Sequence, residues 1–164
     1  MIDGVFAISL GKKGRGRNKF SFRYSKEQWK GKLYARPKVE AVLRAGDKEF
    51  RTLMLIDSGA DVSFIPAAVA DILKLDLSEE VTRSRGVSGW FETRSGECEV
   101  SLVARRGVLE LGKIPVIVPV VDLDEEEGTS LDYCLLGRDP LFTRYNIHFK
   151  QRSRHIVAKK ARYD

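Results

Sequence analysis

The sequence predicts a mainly β domain with one or two short helices. Apolar side chains alternate with polar ones in several short runs, which is the pattern of strands that bury one face. Turns rich in glycine separate these runs, and two prolines stand where short helices are expected to begin. The chain has 164 residues, of which 43% are hydrophobic, so it can build the core of one domain.

The clearest strands form a predicted hairpin in the first half of the chain. Residues 39–43 and 50–56 each alternate between apolar and polar side chains, and a Gly-Asp pair at 46–47 marks the turn between them. The second strand ends directly on Asp57. The hairpin therefore delivers an acidic side chain to the end of an apolar strand.

Two short helices are predicted from the positions of proline. Pro66 opens a helix over residues 67–74, since proline is favoured at the first helical position. Asp139 and Pro140 are predicted as the N-cap and first residue of a second helix. The other predicted elements are strands at 99–104, 108–111 and 114–121, a glycine-bearing segment at 82–97, an acidic loop at 122–127, and a closing hairpin of strands 146–150 and 155–158.

Positive charge is concentrated near the two ends of the sequence. Nine of the residues 12–32 are Lys or Arg against one acid, Glu27, and further basic residues follow between 150 and 162. Such segments bind nucleic acid or acidic partners, or form solvated surface, and the sequence leaves these alternatives open. The predicted organisation is a basic N-terminal extension over residues 1–32 and a compact domain over residues 33–164.

Cysteine and histidine content argues against a metal or disulfide framework. Cys98 and Cys134 are too few for such a framework, and their spacing fits no metal site, so reduced thiols are predicted. His148 and His155 alone make a poor zinc site, and no metal or cofactor is expected. No apolar run approaches the roughly 18 residues of a membrane span, and no secretory signal is evident, which predicts a cytoplasmic protein without membrane contact.

The residues that carry chemistry centre on the stretch Leu55-Ile56-Asp57-Ser58-Gly59-Ala60-Asp61. An apolar strand brings Asp57 into a tight loop, in which Gly59 lets the backbone turn and Ser58 can hydrogen-bond to a neighbouring backbone. By itself this pattern also fits an ordinary polar turn after a strand.

Two further segments follow this stretch along the chain: Gly86-Val87-Ser88-Gly89-Trp90-Phe91 and Leu135-Leu136-Gly137-Arg138-Asp139. In this order, the three resemble the active-site loop, the glycine-rich flap tip and the apolar-apolar-Gly-Arg segment of the retropepsin-like aspartic peptidases. The resemblance spans about residues 33–160, and the closing hairpin is similar to the dimerisation strands of cellular members.

The resemblance implies a closed retropepsin-like acid-protease β-barrel that forms a two-fold homodimer of the cellular or archaeal type. It implies an aspartic endopeptidase, with Asp57 as the catalytic residue, that hydrolyses peptide bonds with a water activated by an Asp dyad under a flap. The chain has one Asp-Ser-Gly motif, so the second carboxylate must come from a second chain. A catalytically weak dimeric peptide-binding module of the same fold is the alternative.

Supporting roles for other residues follow from the same resemblance. Asp61 and Arg138 are expected to form an ion pair that braces the active-site loop. Trp90 and Phe91 are expected to line the pocket or cover the base of the flap, with simple core packing as the alternative. The predicted loop-supporting residues are Ser58, Gly59, Ala60, Asp61 and Arg138, and the predicted flap and substrate-binding residues are Gly86, Val87, Ser88, Gly89, Trp90 and Phe91.

Overall fold

The alternating runs of the sequence form strands in the computed structural model, which describes residues 18–86, 89–120 and 134–162. Twelve strands and two helices occur within these ranges. In chain order they are β1 (Lys19–Arg23), β2 (Ser25–Trp29), β3 (Lys32–Arg36), β4 (Lys38–Ala45), β5 (Lys48–Ile56), β6 (Ser63–Phe64), α1 (Ala67–Leu73), β7 (Leu77–Gly86), β8 (Gly89–Val103), β9 (Val108–Pro119), β10 (Cys134–Leu136), α2 (Arg138–Arg144), β11 (Tyr145–Lys150) and β12 (His155–Lys160). The predicted mainly β class with two short helices is confirmed.

The hairpin predicted around the Gly-Asp turn is formed by β4 and β5. The two strands pair in antiparallel register from Lys38 opposite Leu55 to Ala45 opposite Lys48. Gly46 takes up a positive φ of 55° in the turn, a conformation that glycine adopts without strain. The alternating apolar side chains of both strands enter the hydrophobic core.

Six strands close into a barrel. The main sheet has the order β4-β5-β10-β6-β9-β8-β7, and an additional pairing of β4 with β8 joins its two sides. Within it, β10 runs parallel to β5 and antiparallel to β6, although 77 residues separate Ile56 from Cys134 in the sequence. The predicted closed barrel is confirmed, and the β4–β8 pairing closes it.

The strands in the second half are longer than predicted. The predicted strand at 108–111 and most of the one at 114–121 belong to the single strand β9, which ends at Pro119; residue 121 lies outside the described residues. Strand β8 begins ten residues before the predicted strand at 99–104. Gly112, with φ of 76°, lies where the register between β8 and β9 shifts. A β-bulge of this kind bends a strand without ending it, which explains why the separation into two strands was wrong.

The N-terminal part also contributes to the core. Strand β1 pairs with β12 in a three-stranded sheet with β11, and Phe20 and Phe22 are 5% and 2% exposed. Strands β2 and β3 form a separate two-stranded sheet. The predicted extension over residues 1–32 therefore contains β1, β2 and the first residue of β3, and β1 shares the core of the domain.

The helices begin close to the predicted prolines. Pro66 directly precedes α1, and its carbonyl accepts the backbone N–H groups of Val69 and Ala70 at 3.0 Å. Helix α2 begins at Arg138, one residue before the predicted cap; Asp139 has extended dihedrals within it, and Gly137 precedes it without a side-chain cap. Neither helix in the described ranges is long and apolar enough to cross a membrane.

Both cysteines are free and buried, as predicted. Burial raises the pKa of the Cys98 thiol from 9.0 to about 11 and that of Cys134 to about 12, because the thiolate loses its hydration in the core. Their protonated forms therefore contribute stability below pH 9, and this contribution is lost as the pH rises towards these folded-state values.

We expect neither thiol to react with a water-soluble disulfide reagent in the native protein at neutral pH, because the reactive thiolate is scarce and the sulfur is inaccessible. Both thiols should react with the reagent once urea unfolds the chain. Rapid modification of the native protein, measured by absorbance, would contradict the burial of these side chains.

Candidate active site

Asp57 lies in the loop that leaves β5, next to the parallel pairing of β5 with β10. Its backbone N–H donates to the Leu136 carbonyl at 3.0 Å, which extends the parallel pairing of β5 with β10 by one step. Its Oδ1 accepts the backbone N–H of Gly59 at 2.8 Å. The carboxylate is therefore held in a fixed orientation, and the residue remains partly exposed to solvent.

Backbone hydrogen bonds join the Asp57 loop to the segment that enters α2. The Arg138 N–H donates to the Ala60 carbonyl at 2.8 Å, and the Asp139 N–H donates to the Asp61 carbonyl at 3.3 Å. These bonds unite the first and third sequence segments in one substructure.

Gly137 is the point of closest approach between these two segments. A Cβ atom added there would lie 2.7 Å from the backbone carbon and oxygen of Val62 and 2.9 Å from the Ala60 oxygen. These distances are far below a van der Waals contact, and the atoms belong to rigid backbone. Only glycine fits here without displacing the loop that carries Asp57.

Ser63 adds a buried contact to this junction. Its hydroxyl, in a residue that is 0% exposed, accepts the Gly137 backbone N–H at 3.2 Å. The sequence reading missed this residue because β6 has two residues and was read as loop. Both residues of β6 are buried, so the segment has no alternation of polar and apolar side chains that could have served as a signal.

The expected ion pair between Asp61 and Arg138 is present, with Nη2 of the guanidinium against Oδ1 of the carboxylate. The two side chains are 76% and 56% exposed, so solvent screens the attraction. Exposed pairs of this kind contribute about 0–1 kcal/mol. The ion pair therefore adds to the backbone contacts of the loop rather than replacing them.

Ser58 is exposed at the outer surface of the loop. Among the described residues its hydroxyl has no hydrogen-bond partner, while the neighbouring Ala60 is partly buried. The loop thus carries a partly exposed carboxylate at Asp57 and, in the next residue, an exposed hydroxyl.

The glycine-bearing segment forms a hairpin of β7 and β8. Its strands pair up to Gly86 opposite Gly89, and Gly89 has a positive φ of 123°. Val87 and Ser88, the predicted tip, lie outside the described residues. The two glycines therefore form the last pair of the hairpin within the described residues.

Phe91 connects this hairpin to the strand that follows the Asp57 loop. Its ring makes an edge-to-face contact with Phe64 of β6, with centroids 6.3 Å apart. A Cβ atom at Gly86 would lie 3.1 Å from the Phe91 ring, so glycine leaves room for this side chain. The inner face of the hairpin is thus directed towards β6.

Trp90 points to the opposite side of β8 from Phe91, because successive strand residues face opposite ways. It is 60% exposed, and the guanidinium groups of Arg83 and Arg85 lie 5.6 and 5.9 Å from its ring centroid. Core packing does not account for Trp90, and the ring lies on the outer face of the hairpin.

A hydroxyl cluster in the hairpin was also missed from the sequence. Thr93 is 0% exposed, and its hydroxyl lies 2.9 Å from that of Ser84 and 3.3 Å from that of Thr82. These three residues share one face of the hairpin. Their mutual hydrogen bonds satisfy polar groups that would otherwise be costly to bury.

No arrangement typical of a metal centre is found among residues 18–86, 89–120 and 134–162, where no three His, Cys, Asp or Glu side chains are placed to hold an ion.

Comparison with known proteins identifies similar structures. No protein-family model matches the chain, and no curated protein does so. A retropepsin-like aspartic protease from Rickettsia conorii is 14% identical, with 87% of this chain and 89% of that chain covered and a TM-score of 0.48. EIAV protease complexed with the inhibitor HBY-793 is 22% identical, with 71% and 93% covered and a TM-score of 0.43.

Proposed function

We propose that the chain is an aspartic endopeptidase that acts as a homodimer, with one Asp57 from each copy forming the catalytic dyad. The observation that carries the proposal is the position of Asp57. Its carboxylate is partly exposed, oriented by the Gly59 N–H, and mounted on a loop that hydrogen bonds join to the entrance of α2. Rigid support of this kind is what a catalytic group requires.

The need for a second copy follows from the chemistry. One carboxylate accepts a proton from a water molecule as the water oxygen bonds to the carbonyl carbon of the substrate. The second, protonated carboxylate donates its proton to the carbonyl oxygen. Transfer of a proton to the amide nitrogen then allows the C–N bond to break. A chain with one Asp-Ser-Gly motif supplies only one of the two carboxylates.

The surface of the loop is compatible with such a pairing. Ser58 is exposed, and its hydroxyl, which has no partner within the described part of the chain, can bond to the equivalent loop of a second copy. A two-fold axis beside Asp57 brings the same patch of each copy into contact, as expected for an isologous interface.

The β7–β8 hairpin is proposed as the flap. Its inner face is directed towards β6, next to the Asp57 loop, through the contact of Phe91 with Phe64. A peptide lying between the hairpin and the loop can add as an extended strand and use its backbone groups for binding. Gly86 and Gly89 leave the end of the hairpin free of bulk, which favours opening and closing.

The decisive experiment combines a peptide-library digest across acidic and neutral pH with measurement of the solution mass. We expect cleavage products, and a mass of twice 18.5 kDa at micromolar concentration. Peptide binding without cleavage at any pH would favour the dimeric peptide-binding module. A strict monomer would overturn the shared dyad.

A further inference from the structure

The β2–β3 hairpin is a two-stranded sheet with unusually exposed apolar side chains. Trp29 is 57% exposed, Leu33 64% and Tyr34 36%. Within residues 18–86, 89–120 and 134–162 it shares no strand pairing with the barrel or with the three-stranded sheet. A lone two-stranded hairpin is only marginally stable in water, so large exposed side chains on it indicate a surface that meets a partner.

The register of the hairpin places aromatic rings and cations together. Trp29 and Tyr34 lie on the same face, with ring centroids 6.2 Å apart. The Lys30 ammonium lies 4.6 Å from the Trp29 centroid, and the Arg36 guanidinium lies 5.6 Å from that of Tyr34. Sequence spacing alone did not reveal this grouping, since it depends on cross-strand contact.

A basic cleft borders the base of the same hairpin. It has a volume of about 640 Å³, and its lining includes Arg23, Lys38 and Arg105 together with one acid, Glu40. The Lys38 ammonium is ion-paired with Glu27, so Arg23 and Arg105 are the cations on which the basic character of the cleft depends. Ser25, where β2 begins, also lines it; its hydroxyl is buried and has no hydrogen-bond partner among the described residues. An anionic oxygen in the cleft would meet the guanidinium groups of Arg23 and Arg105 and this donor.

We propose that the hairpin and the cleft at its base bind single-stranded nucleic acid. Six of the residues 23–38 are Lys or Arg and one is acidic. Single-strand binding sites combine a positive groove for phosphates with aromatic rings on which bases stack, and both features meet here.

Two other classes of partner fit less well. An acidic peptide would neutralise the cations but would leave the rings of Trp29 and Tyr34 without stacking partners. A folded protein partner would bury a lysine-rich surface, although lysine is depleted from protein–protein interfaces. Nucleic acid uses both the rings and the cations.

The test is fluorescence anisotropy of the full chain with a fluorescein-labelled oligothymidylate of about 12 nucleotides. We expect binding at low salt that weakens as salt rises. Trp29→Ala should weaken binding at least about fivefold. Trp29→Phe, which keeps an aromatic ring, should bind the oligonucleotide with nearly the affinity of the unmodified protein. A duplex of the same length should bind less tightly, because its paired bases cannot reach the rings.

Charge variants separate this site from general attraction to a basic protein. Lys30→Gln should make the slope of log K against log salt shallower by about 0.7, the value for one contact to a single strand. Lys74→Gln, which removes an exposed cation at the end of α1, should leave the slope unchanged.

Several results would overturn the proposal: no binding at low salt, equal losses for Trp29→Ala and Trp29→Phe, equal effects of Lys30→Gln and Lys74→Gln, or equally effective competition by polyglutamate. Asp57→Asn protein should bind the oligonucleotide like the unmodified chain, because Asp57 is not part of this surface. The outcome is therefore independent of the peptidase assay.

Discussion

Replacement of Asp57 by asparagine is expected to reduce peptide cleavage by at least about 10³-fold, since positioned acid–base groups contribute roughly 10²–10⁴-fold and the change removes both members of the dyad. The amide has nearly the shape of the carboxylate but cannot take a proton from water. Its carbonyl oxygen can still accept the Gly59 N–H, so the loop should keep its structure. The measurement is kcat/KM on a peptide from the library, together with the thermal unfolding midpoint.

The matched control is Asp71→Asn, which makes the same chemical change on the exposed side of α1. It should leave both cleavage and stability close to those of the unmodified protein. Full activity of Asp57→Asn, or equal losses in the two variants, would remove Asp57 from the catalytic role.

Mixtures of the unmodified protein with the Asp57→Asn protein test whether the dyad is shared between two copies. If each active site takes one Asp57 from each copy, an equal mixture that exchanges subunits should retain about a quarter of the activity, because only that fraction of dimers has two carboxylates. If each chain were active by itself, the mixture would retain about half of the activity, because half of its chains carry Asp57. The comparison needs a fixed total concentration so that the extent of dimerisation does not change.

Local patterns predicted the strands that alternate clearly, and missed those that do not. The β4–β5 hairpin follows from its period of two and its turn. Strand β6 has only two residues, and both are buried, so it has no alternation to detect. In β1, Phe20 and Phe22 do alternate, but the surrounding lysines and arginines made the segment resemble a solvated extension.

The geometry of the candidate site depends on contacts between distant parts of the chain. The approach of Asp61 to Arg138 was expected only through the family resemblance, because a periodic pattern does not say which strands pair. The parallel pairing of β5 with β10 is what brings the two segments together. The tight contact at Gly137 was not predicted, since it depends on where the Val62 backbone passes.

The second large effect is expected at Gly137, where alanine should destabilise the protein by about 3 kcal/mol or more, at the upper end of the range for overpacked sites. The conformation is not the obstacle, because φ of −75° and ψ of −174° suit any residue. The added methyl group would lie 2.7 Å from the Val62 backbone, which cannot rotate away as a side chain can. To make room, the Asp57 loop must move away from β10.

Gly46→Ala separates this contact from the general cost of losing a glycine. Gly46 has a positive φ of 55° with nothing within 4 Å of the added atom, so its replacement should cost only the roughly 1–2 kcal/mol of a left-handed alanine. Urea unfolding at one protein concentration gives both values. A smaller loss at Gly137 than at Gly46 would show that the loop yields easily. The alternative outcome is a larger loss of stability at Gly137 than at Gly46, together with reduced cleavage in the fraction that remains folded. It would show that the close approach of Gly137 to the Val62 backbone both stabilises the domain and positions Asp57.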